Sequence, residues 1–296
     1  MPEVENVVRR LAPVLPGREV TRARLTAPDL YRRDSRQIGT LVGVRLTVVE
    51  RMGKAILIRG RRADGKRADD VHVVVHLGMT GKLLWVPRTA PLEPHAHARI
   101  FFAGGGELRY VDPRRFGYFF IGDRRAIDAS FDMGPDPFAM KAGELARALA
   151  GRRAPLKALL LDQRVVAGLG NIYVDELLFR CGIHPRTAGA DAARDAARLL
   201  RAARVILKRA IESGGTTIRD YRRPDGSSGQ FQRRLAVYGR EGEGCLRCGS
   251  AVEKIVLAQR GTHFCPRCQP EVIRRPGTGS ADRSRRAGPR RAGYTR

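Results

Sequence analysis

The chain has 296 residues, 43% of them apolar, which is enough material for two ordinary hydrophobic cores. Its 56 lysines and arginines outnumber 30 acidic residues, and the resulting net charge of +26 favours nucleic acid as the partner. No stretch is long and apolar enough to span a membrane, and no signal peptide is recognisable, so membrane and secreted proteins are disfavoured and a cytoplasmic, nucleoid-associated protein is expected.

The first half predicts a helix followed by strands. Val4, Val7, Val8 and Leu11 recur at helical spacing, and Pro-Gly at 16–17 closes the segment, so a helix is expected over 4–15. From residue 18 to about 122 the pattern is typical of strands, as in 41–49 and 71–75, with glycines at the turns. This pattern predicts a β-sandwich or a flattened barrel.

The second half is helical. A proline-bracketed linker at 133–137 is followed by segments typical of helices at 144–151, 156–161, 171–181 and 190–213. The fold class is therefore α+β and multidomain. The first predicted domain, 1–132, contains the N-terminal helix and the sandwich. The second, 133–240, is helical. A zinc hairpin at 241–269 and a basic tail at 270–296 follow. A cleft between two unlike domains would suit duplex DNA.

Four cysteines near the end have zinc-site spacing. Cys245 and Cys248 form one CxxC pair and Cys265 and Cys268 a second, with sixteen residues between the pairs. Four thiolates leave no coordination position open for water, which indicates one structural zinc. The alternative, two disulfides, would leave Cys181 unpaired, and a reducing cytoplasm fits better. Cys181 itself is expected to be a buried helix residue.

The tail from 270 to 296 has eight arginines, two acidic residues and few large apolar residues. Such a segment cannot bury enough apolar surface to offset its ordering entropy, so disorder is predicted. A solvated solubility tail and a nonspecific phosphate-binding arm are both compatible with this composition. The rest of the chain is strongly basic without it.

The N-terminus carries a candidate nucleophile. Initiator Met1 is normally removed before a residue as small as Pro2, which would expose a secondary amine. An α-amino group titrates near ~8, far below lysine, and could form a Schiff base with a sugar C1′. Glu3 beside it could move protons. The alternative is an ordinary helix start, since proline and glutamate are common there.

Seven short motifs follow one another along the chain. They are 51–54 (RMGK), 76–81 (HLGMTG), 112–117 (DPRRFG), 168–173 (GLGNIY), 214–217 (GGTT), 237–240 (VYGR) and 258–260 (AQR). Each motif is weak by itself, but their order and spacing are highly specific. Together they closely resemble the formamidopyrimidine-DNA glycosylase family, whose members excise oxidised purines and then cut the abasic strand.

The resemblance implies a β-sandwich, a helix-two-turns-helix element and a zinc finger that grip bent duplex DNA. Met79 and Phe116 would then fill the gap left by a flipped nucleotide, while Arg114 would donate hydrogen bonds to the orphaned base. His95 is grouped with the DNA-binding residues, although in isolation it is an ordinary surface histidine. The resemblance implies four catalytic residues, Pro2, Glu3, Lys54 and Arg260. It implies five DNA-binding residues, Met79, Arg114, Phe116, Asn171 and His95. Lys54, Asn171 and Arg260 would contact the phosphates around the lesion.

The chain departs from the family pattern at its start. Members usually begin MPELPEVE, whereas this chain begins MPEVE and is three residues shorter. If the difference is an internal deletion, Pro2 and Glu3 are the catalytic pair. If residues 2–5 instead match the inner PEVE, the nucleophile is absent. Three residues span up to ~10 Å, far more than the ~3–3.5 Å at which reacting atoms must meet.

The predicted function is a bifunctional DNA glycosylase and abasic-site lyase that acts as a monomer on duplex DNA with oxidised or abasic lesions. Residues 221–231 resemble the family's purine-lesion loop, which favours 8-oxoguanine and formamidopyrimidines as the excised bases. The abasic strand would then be cleaved by β/δ-elimination through a Schiff base with the N-terminal proline. Two alternatives are an oxidised-pyrimidine glycosylase resembling endonuclease VIII and a catalytically impaired protein that binds lesions or abasic sites. A zinc-ribbon transcription or RNA-binding module would explain the charge and the cysteines, but not the motifs at 76–81 and 112–117.

Overall fold

The computed structural model describes residues 1–62, 70–216 and 229–271. Within these ranges the chain forms a helix, an eight-stranded sandwich, a helical region and a two-stranded hairpin. The first half comprises α1 (Pro2–Leu11), β1 (Val20–Leu25), β2 (Val44–Met52), β3 (Ala55–Arg62), β4 (Asp70–His76), β5 (Lys82–Val86), β6 (Ala96–Phe102), β7 (Glu107–Val111) and β8 (Tyr118–Gly122). The predicted basic tail lies outside the described residues from 272 onward.

Helix α1 buries an apolar face against the sandwich, and its buried side chains include Val4, Val7, Val8 and Leu11. The helix begins two residues earlier than the apolar spacing predicts, because Pro2 is well suited to the first helical turn. It also ends at Leu11 rather than at residue 15. Residues beyond Leu11 continue as turns, although Leu15 is still fully buried in the same core.

The strands form two antiparallel four-stranded sheets, in the orders β1-β6-β7-β5 and β2-β3-β4-β8. This is the predicted sandwich, and an isolated bridge between Glu19 and Arg45 links the two sheets at one edge. Alternate side chains of both sheets fill the space between them, which is the packing expected of sandwiches. The register brings Ala55, His76 and Tyr118 into line. The turns at 53–54, 77–81 and 112–117 therefore emerge at one end of the sandwich.

The helical region comprises α2 (Arg124–Ser130), α3 (Ala142–Leu149), α4 (Leu156–Leu161), α5 (Asn171–Cys181), α6 (Gly189–Ala192) and α7 (Ala196–Glu212). The prediction of one helix over 190–213 is wrong, because a 3-10 turn at 193–195 separates α6 from α7. Cys181 is a buried residue of α5, as predicted. None of the described helices has both the length and the apolarity needed to cross a membrane.

The C-terminal hairpin consists of β9 (Glu253–Leu257) and β10 (Arg260–Phe264). Its two turn residues, Ala258 and Gln259, have φ values of 49° and 57°, as a tight two-residue hairpin turn requires. The hairpin is anchored to the helices by a fully buried ion pair in which Lys157 Nζ lies 2.6 Å from Asp175 Oδ1. Lys157 also donates to the Gly261 carbonyl, and Asp175 Oδ2 accepts from the His263 N–H.

Candidate active site and nucleic-acid interface

The start of the chain is buried where the sandwich meets the helical region. Met1 is 5% exposed, its side chain packs in the core of the helical region, and Pro2 is also buried. Gly168 leaves room for Met1, since a Cβ at this position would overlap Met1 Cε. The Pro2 nitrogen is the amide nitrogen of the Met1–Pro2 peptide bond, so only removal of Met1 would make it a free amine.

Glu3 connects this chain start to the helical region. Its Oε1 accepts hydrogen bonds from the Tyr173 hydroxyl at 2.6 Å and from the Thr216 N–H at 3.0 Å, and its Oε2 lies 3.4 Å from the Met1 amine. Burial opposes ionisation of Glu3, but the amine and these two donors hold its pKa below the ordinary value. Burial also lowers the pKa of the Met1 amine. The site therefore places a carboxylate of lowered pKa beside an amine whose pKa is also lowered.

Lys54 lies beside the same amine, in the turn between β2 and β3. Its Nζ comes within 3.8 Å of the position that a Cβ on Gly170 would take, next to the start of α5. Burial, and then the charge of Arg260, lowers the pKa of Lys54 to about 8. The Met1 amine, Glu3 and Lys54 form a cluster, called the amine cluster below.

His76 also belongs to this region, although no role was predicted for it from the sequence. Its ring stacks on Tyr118 with centroids 5.0 Å apart, and its Nδ1 accepts from the Gly78 N–H. Burial, and then the charges of Lys54 and the Met1 amine, lowers the pKa of His76 to about 4, so the ring is neutral at pH 7. A cavity of about 200 Å³ opens against Lys54 and His76. Lys54, at one side of the amine cluster, therefore borders open space.

Tyr173 and Thr216 were also missed as site residues. Both lie inside motifs of the sequence, GLGNIY and GGTT, but nothing in the motifs shows that they meet Glu3. The hydroxyl groups of Tyr173 and Thr216 are 2.9 Å apart, so the two residues form one hydrogen-bonded unit. The motifs could have marked Tyr173 and Thr216 as functional residues, but they do not indicate that both residues contact Glu3.

Two neighbouring turns present exposed side chains at this end of the sandwich. Met79 is 55% exposed on the turn at 77–81, called the Met79 turn, and Phe116 is 55% exposed on the turn at 112–117, called the Phe116 turn. The guanidinium of Arg114 stacks over the Phe116 ring at 4.5 Å. Met79 and Phe116 therefore do not lie in the core.

The remaining predicted DNA-binding residues fall into two places. Asn171 begins α5 and donates to the Gly261 carbonyl at 2.9 Å, which brings it next to the exposed Arg260 at the start of β10. His95 is exposed, and its carbonyl accepts from the Asp112 N–H at 3.1 Å. His95 thus lies beside the Phe116 turn and not in the amine cluster, whereas Arg260 is near enough to Lys54 to affect its pKa.

The four clustered cysteines fit one tetrahedral zinc ion. Their Sγ atoms all lie within 4.8 Å of one another, with 3.9 Å between Cys245 and Cys268 and 3.4 Å between Cys248 and Cys265. Zinc–thiolate bonds of about 2.3 Å imply sulfur separations of roughly 3.8 Å in a tetrahedron. The residues present therefore match a closed structural zinc site.

Three family profiles match this chain in succession. Residues 1–119 match the "Formamidopyrimidine-DNA glycosylase N-terminal domain", 133–222 the "Formamidopyrimidine-DNA glycosylase H2TH domain" and 242–270 the "Zinc finger found in FPG and IleRS". The chain belongs to the formamidopyrimidine-DNA glycosylase family. The family's zinc-finger profile covers all four clustered cysteines, in agreement with one structural zinc.

Individual members of the formamidopyrimidine-DNA glycosylase family are similar over almost their whole length. The formamidopyrimidine-DNA glycosylase of Geobacillus kaustophilus is 40% identical over 91% of this chain and 98% of its own. A Lactococcus lactis FPG mutant solved with Fapy-dG-containing DNA superposes with a TM-score of 0.81 at 34% identity, over 92% of this chain and 99% of its own. MutM in complex with carbocyclic 8-oxo-G-containing DNA gives 0.79 at 34% identity, with the same coverage.

Proposed function

We propose that this protein excises oxidised purines from duplex DNA and then cleaves the abasic strand. The observation that carries the proposal is the position of the chain start, where Pro2 is buried and Glu3 lies near Lys54, at the end of the sandwich that also bears the Met79 and Phe116 turns. The solved relatives bound to Fapy-dG and 8-oxo-G DNA support purine lesions over the oxidised pyrimidines favoured by endonuclease VIII. Of the predicted lesion loop, residues 221–228 lie outside the described residues.

In the proposed mechanism, Met1 is removed and the secondary amine of Pro2 attacks C1′ as the bond from C1′ to the base breaks. Glu3 accepts and returns protons, a role that suits a carboxylate kept ionised beside the amine. The sugar ring then opens, in that the C1′–O4′ bond breaks and O4′ takes up a proton, which gives the Schiff base. Elimination then releases the 3′ phosphate and, in a second step, the 5′ phosphate, so the strand is cut on both sides.

The DNA contacts follow from the two groups of exposed residues. Lys54, Asn171 and Arg260 would bind backbone phosphates around the lesion, since they converge at the N-terminus of α5. Met79 and Phe116 would replace the stacking lost with the flipped base, and Arg114 would bind the orphaned partner. His95, next to the Phe116 turn, would contact the same stretch of the backbone.

A second candidate function is lesion binding without catalysis, and the packing of Met1 favours it. In the family pattern MPELPEVE a leucine precedes the inner PEVE, and Met1 holds the equivalent place before residues 2–5. Its side chain is buried in the helical core as an apolar residue at that place would be. Under this alignment Glu3 matches the inner glutamate and Pro2 is not the nucleophile.

Borohydride trapping on a duplex with 8-oxoguanine opposite cytosine distinguishes these functions. Two proteins are compared, the chain after removal of Met1 and an extended variant with Met-Pro-Glu added before Met1, and the N-terminal residue of each is determined on the same sample. An adduct that maps to Pro2 in the first protein supports the proposed mechanism. Trapping by the extended variant and not by the first supports the inner alignment. Tight binding with no adduct in either supports a lesion-binding protein.

The pKa of Lys54 predicts a pH-dependent affinity for DNA. With a pKa of about 8, Lys54 is mostly charged at pH 7 and mostly neutral at pH 9, so its phosphate contact weakens as the pH rises. Fluorescence anisotropy with a duplex carrying an abasic analogue should show an affinity loss of up to about tenfold over this range, the limit for one group that titrates at 8. Lys54→Arg should remove this loss, and Lys141→Arg, at an exposed lysine, should retain it. Equal pH dependence in Lys54→Arg and the wild type would contradict the prediction.

We further propose that the protein acts as a monomer in the cytoplasm, associated with the nucleoid. The domain boundaries at residues 132, 240 and 269 stay predictions. The basic residues of the tail would add nonspecific phosphate contacts, whose signature is a steeper salt dependence of DNA binding.

A further inference from the structure

Asp112 joins the Met79 turn to the Phe116 turn. It is fully buried at the end of β7, where its Oδ1 accepts from the Thr80 hydroxyl and from the Arg114 N–H at 3.3 Å. Its Oδ2 accepts from the Gly117 N–H at 3.0 Å and from the Tyr110 hydroxyl at 2.9 Å. A single carboxylate thus holds one donor of the Met79 turn and two backbone donors of the Phe116 turn.

The backbones of the two turns also pack directly against each other. Gly78 has a φ of 61°, and a Cβ at this position would lie 2.6 Å from the carbonyl carbon of Phe116, closer than real Cβ atoms approach. The Tyr110 hydroxyl, which donates to Asp112, is also 3.4 Å from the His76 carbonyl at the base of the Met79 turn. Neither turn can change its backbone without disturbing the other.

Asp112 is ionised in this environment. Burial opposes its ionisation, but the donors from Thr80, Gly117, Tyr110 and Arg114 hold its pKa below the ordinary value. Hydrogen bonds to a charged acceptor are stronger than neutral ones, and these four donors belong to the two turns or to β7. A neutral side chain of the same shape would keep the volume and lose this bonding pattern.

We infer that Asp112 is a positioning residue that fixes Met79, Arg114 and Phe116 in one arrangement before DNA binds. The inference rests on the proposed function, because it assumes that these three side chains enter the gap left by a flipped base. Extruding a base requires several interactions to form together in the hole, and a rigid backbone reduces the ordering entropy lost on insertion. Asp112 would therefore act on base extrusion and not on the amine chemistry.

The test compares Asp112→Asn with a matched variant, Glu107→Gln. Glu107 is also a fully buried carboxylate of β7, but its partners are Arg99 and Arg109 rather than the two turns. A milder variant, Thr80→Val, removes one donor to Asp112 and keeps the shape of the side chain. Thermal unfolding is measured on each protein, so that the activity of Thr80→Val remains interpretable if Asp112→Asn does not fold.

Three readouts separate positioning from general damage. A 2-aminopurine beside the lesion reports insertion into the stack, single-turnover kinetics report excision of paired 8-oxoguanine, and trapping at a preformed abasic site reports chemistry that needs no base extrusion. Asp112→Asn should lower excision by about 10- to 100-fold, the loss expected for one or two hydrogen bonds to a buried charge. Trapping at the abasic site should fall less than about threefold, which corresponds to about 0.65 kcal/mol of barrier, and Glu107→Gln should change neither.

Equal losses on both substrates, an unchanged 2-aminopurine signal in Asp112→Asn, or the same losses in Glu107→Gln would overturn the inference. The 2-aminopurine signal can also be measured on a duplex with an abasic analogue, where no base has to be released. If the wild-type protein released no base, the proposed function would fail, while the comparison of the 2-aminopurine signals would still decide the role of Asp112. Thr80→Val is expected to show the same selective loss with a smaller amplitude.

Discussion

Glu3→Gln is expected to reduce base excision by about 10²- to 10⁴-fold, the usual range for removal of a positioned acid or base. The change keeps the size of the side chain, and the amide oxygen can still accept from the Thr216 N–H. What is lost is the negative charge beside the amine and the ability to take up a proton. Single-turnover excision of 8-oxoguanine measures the effect, and affinity for an abasic-analogue duplex should stay within about threefold, because Glu3 makes no phosphate contact.

Glu5→Gln is the matched control for this prediction. Glu5 lies on the same helix and is also partly buried, but it pairs with Arg9 and Arg51 at 2.9 Å and not with the amine. Its excision rate should stay near that of the wild type. A loss in Glu5→Gln as large as that in Glu3→Gln would mean that both act by placing helix α1. Tyr173→Phe removes the hydrogen bonds of the hydroxyl to Glu3 and Thr216 and leaves the carboxylate, so its excision rate should fall by about tenfold.

Local patterns predicted the elements of the fold, but not how they pair. The alternation within 71–75 predicts a strand, and the structure extends it to β4, Asp70–His76. The order of the strands within two sheets depends on contacts between residues far apart in sequence, which a period of two does not encode. Helix α1 ends early for a related reason, since Leu15 can be buried from a turn as well as from a helix.

In the candidate site, too, individual residues could be predicted from the sequence, but their contacts could not. The motifs named Lys54, Met79, Phe116 and Asn171 from the sequence, and the structure places them near one end of the sandwich. The burial of Met1 could not be read from the sequence, because it depends on packing in the helical core. Nor could the partners of Glu3, since Tyr173 and Thr216 are 170 and 213 residues away along the chain.

Removal of the zinc is expected to lower the affinity for lesion duplex at least about 100-fold while the β-sandwich stays folded. A two-stranded hairpin is marginal without a further source of stability, and binding of a structural zinc supplies folding free energy directly. The hairpin has a small core of its own, formed with Phe179, Val237 and Val252, whereas the sandwich has a separate and larger one. Loss of the metal should therefore unfold the hairpin first.

The loss should extend beyond Arg260, because the hairpin supports the start of α5. Without β10, Lys157 and Asn171 lose the Gly261 carbonyl, and Asp175 loses the His263 N–H. The buried ion pair between Lys157 and Asp175 then lacks hydrogen-bond partners, which costs free energy in the protein interior because its polarity is low. Phosphate contacts at both Arg260 and Asn171 should weaken together, and the dependence of affinity on salt should become less steep.

Chelation followed by a colorimetric zinc assay, anisotropy with lesion duplex and circular dichroism together measure these effects. Cys181→Ala is the control, since Cys181 is a buried cysteine of α5 outside the four-thiolate cluster, and it should retain one zinc and the wild-type affinity. Unchanged affinity after verified loss of zinc would show that the hairpin does not carry the phosphate contacts. Loss of the circular dichroism signal of the sandwich at the chelator concentration that removes the zinc would instead show that the two cores unfold as one unit. Met1 and Glu3 would explain such coupling, because they connect helix α1 to the helical region.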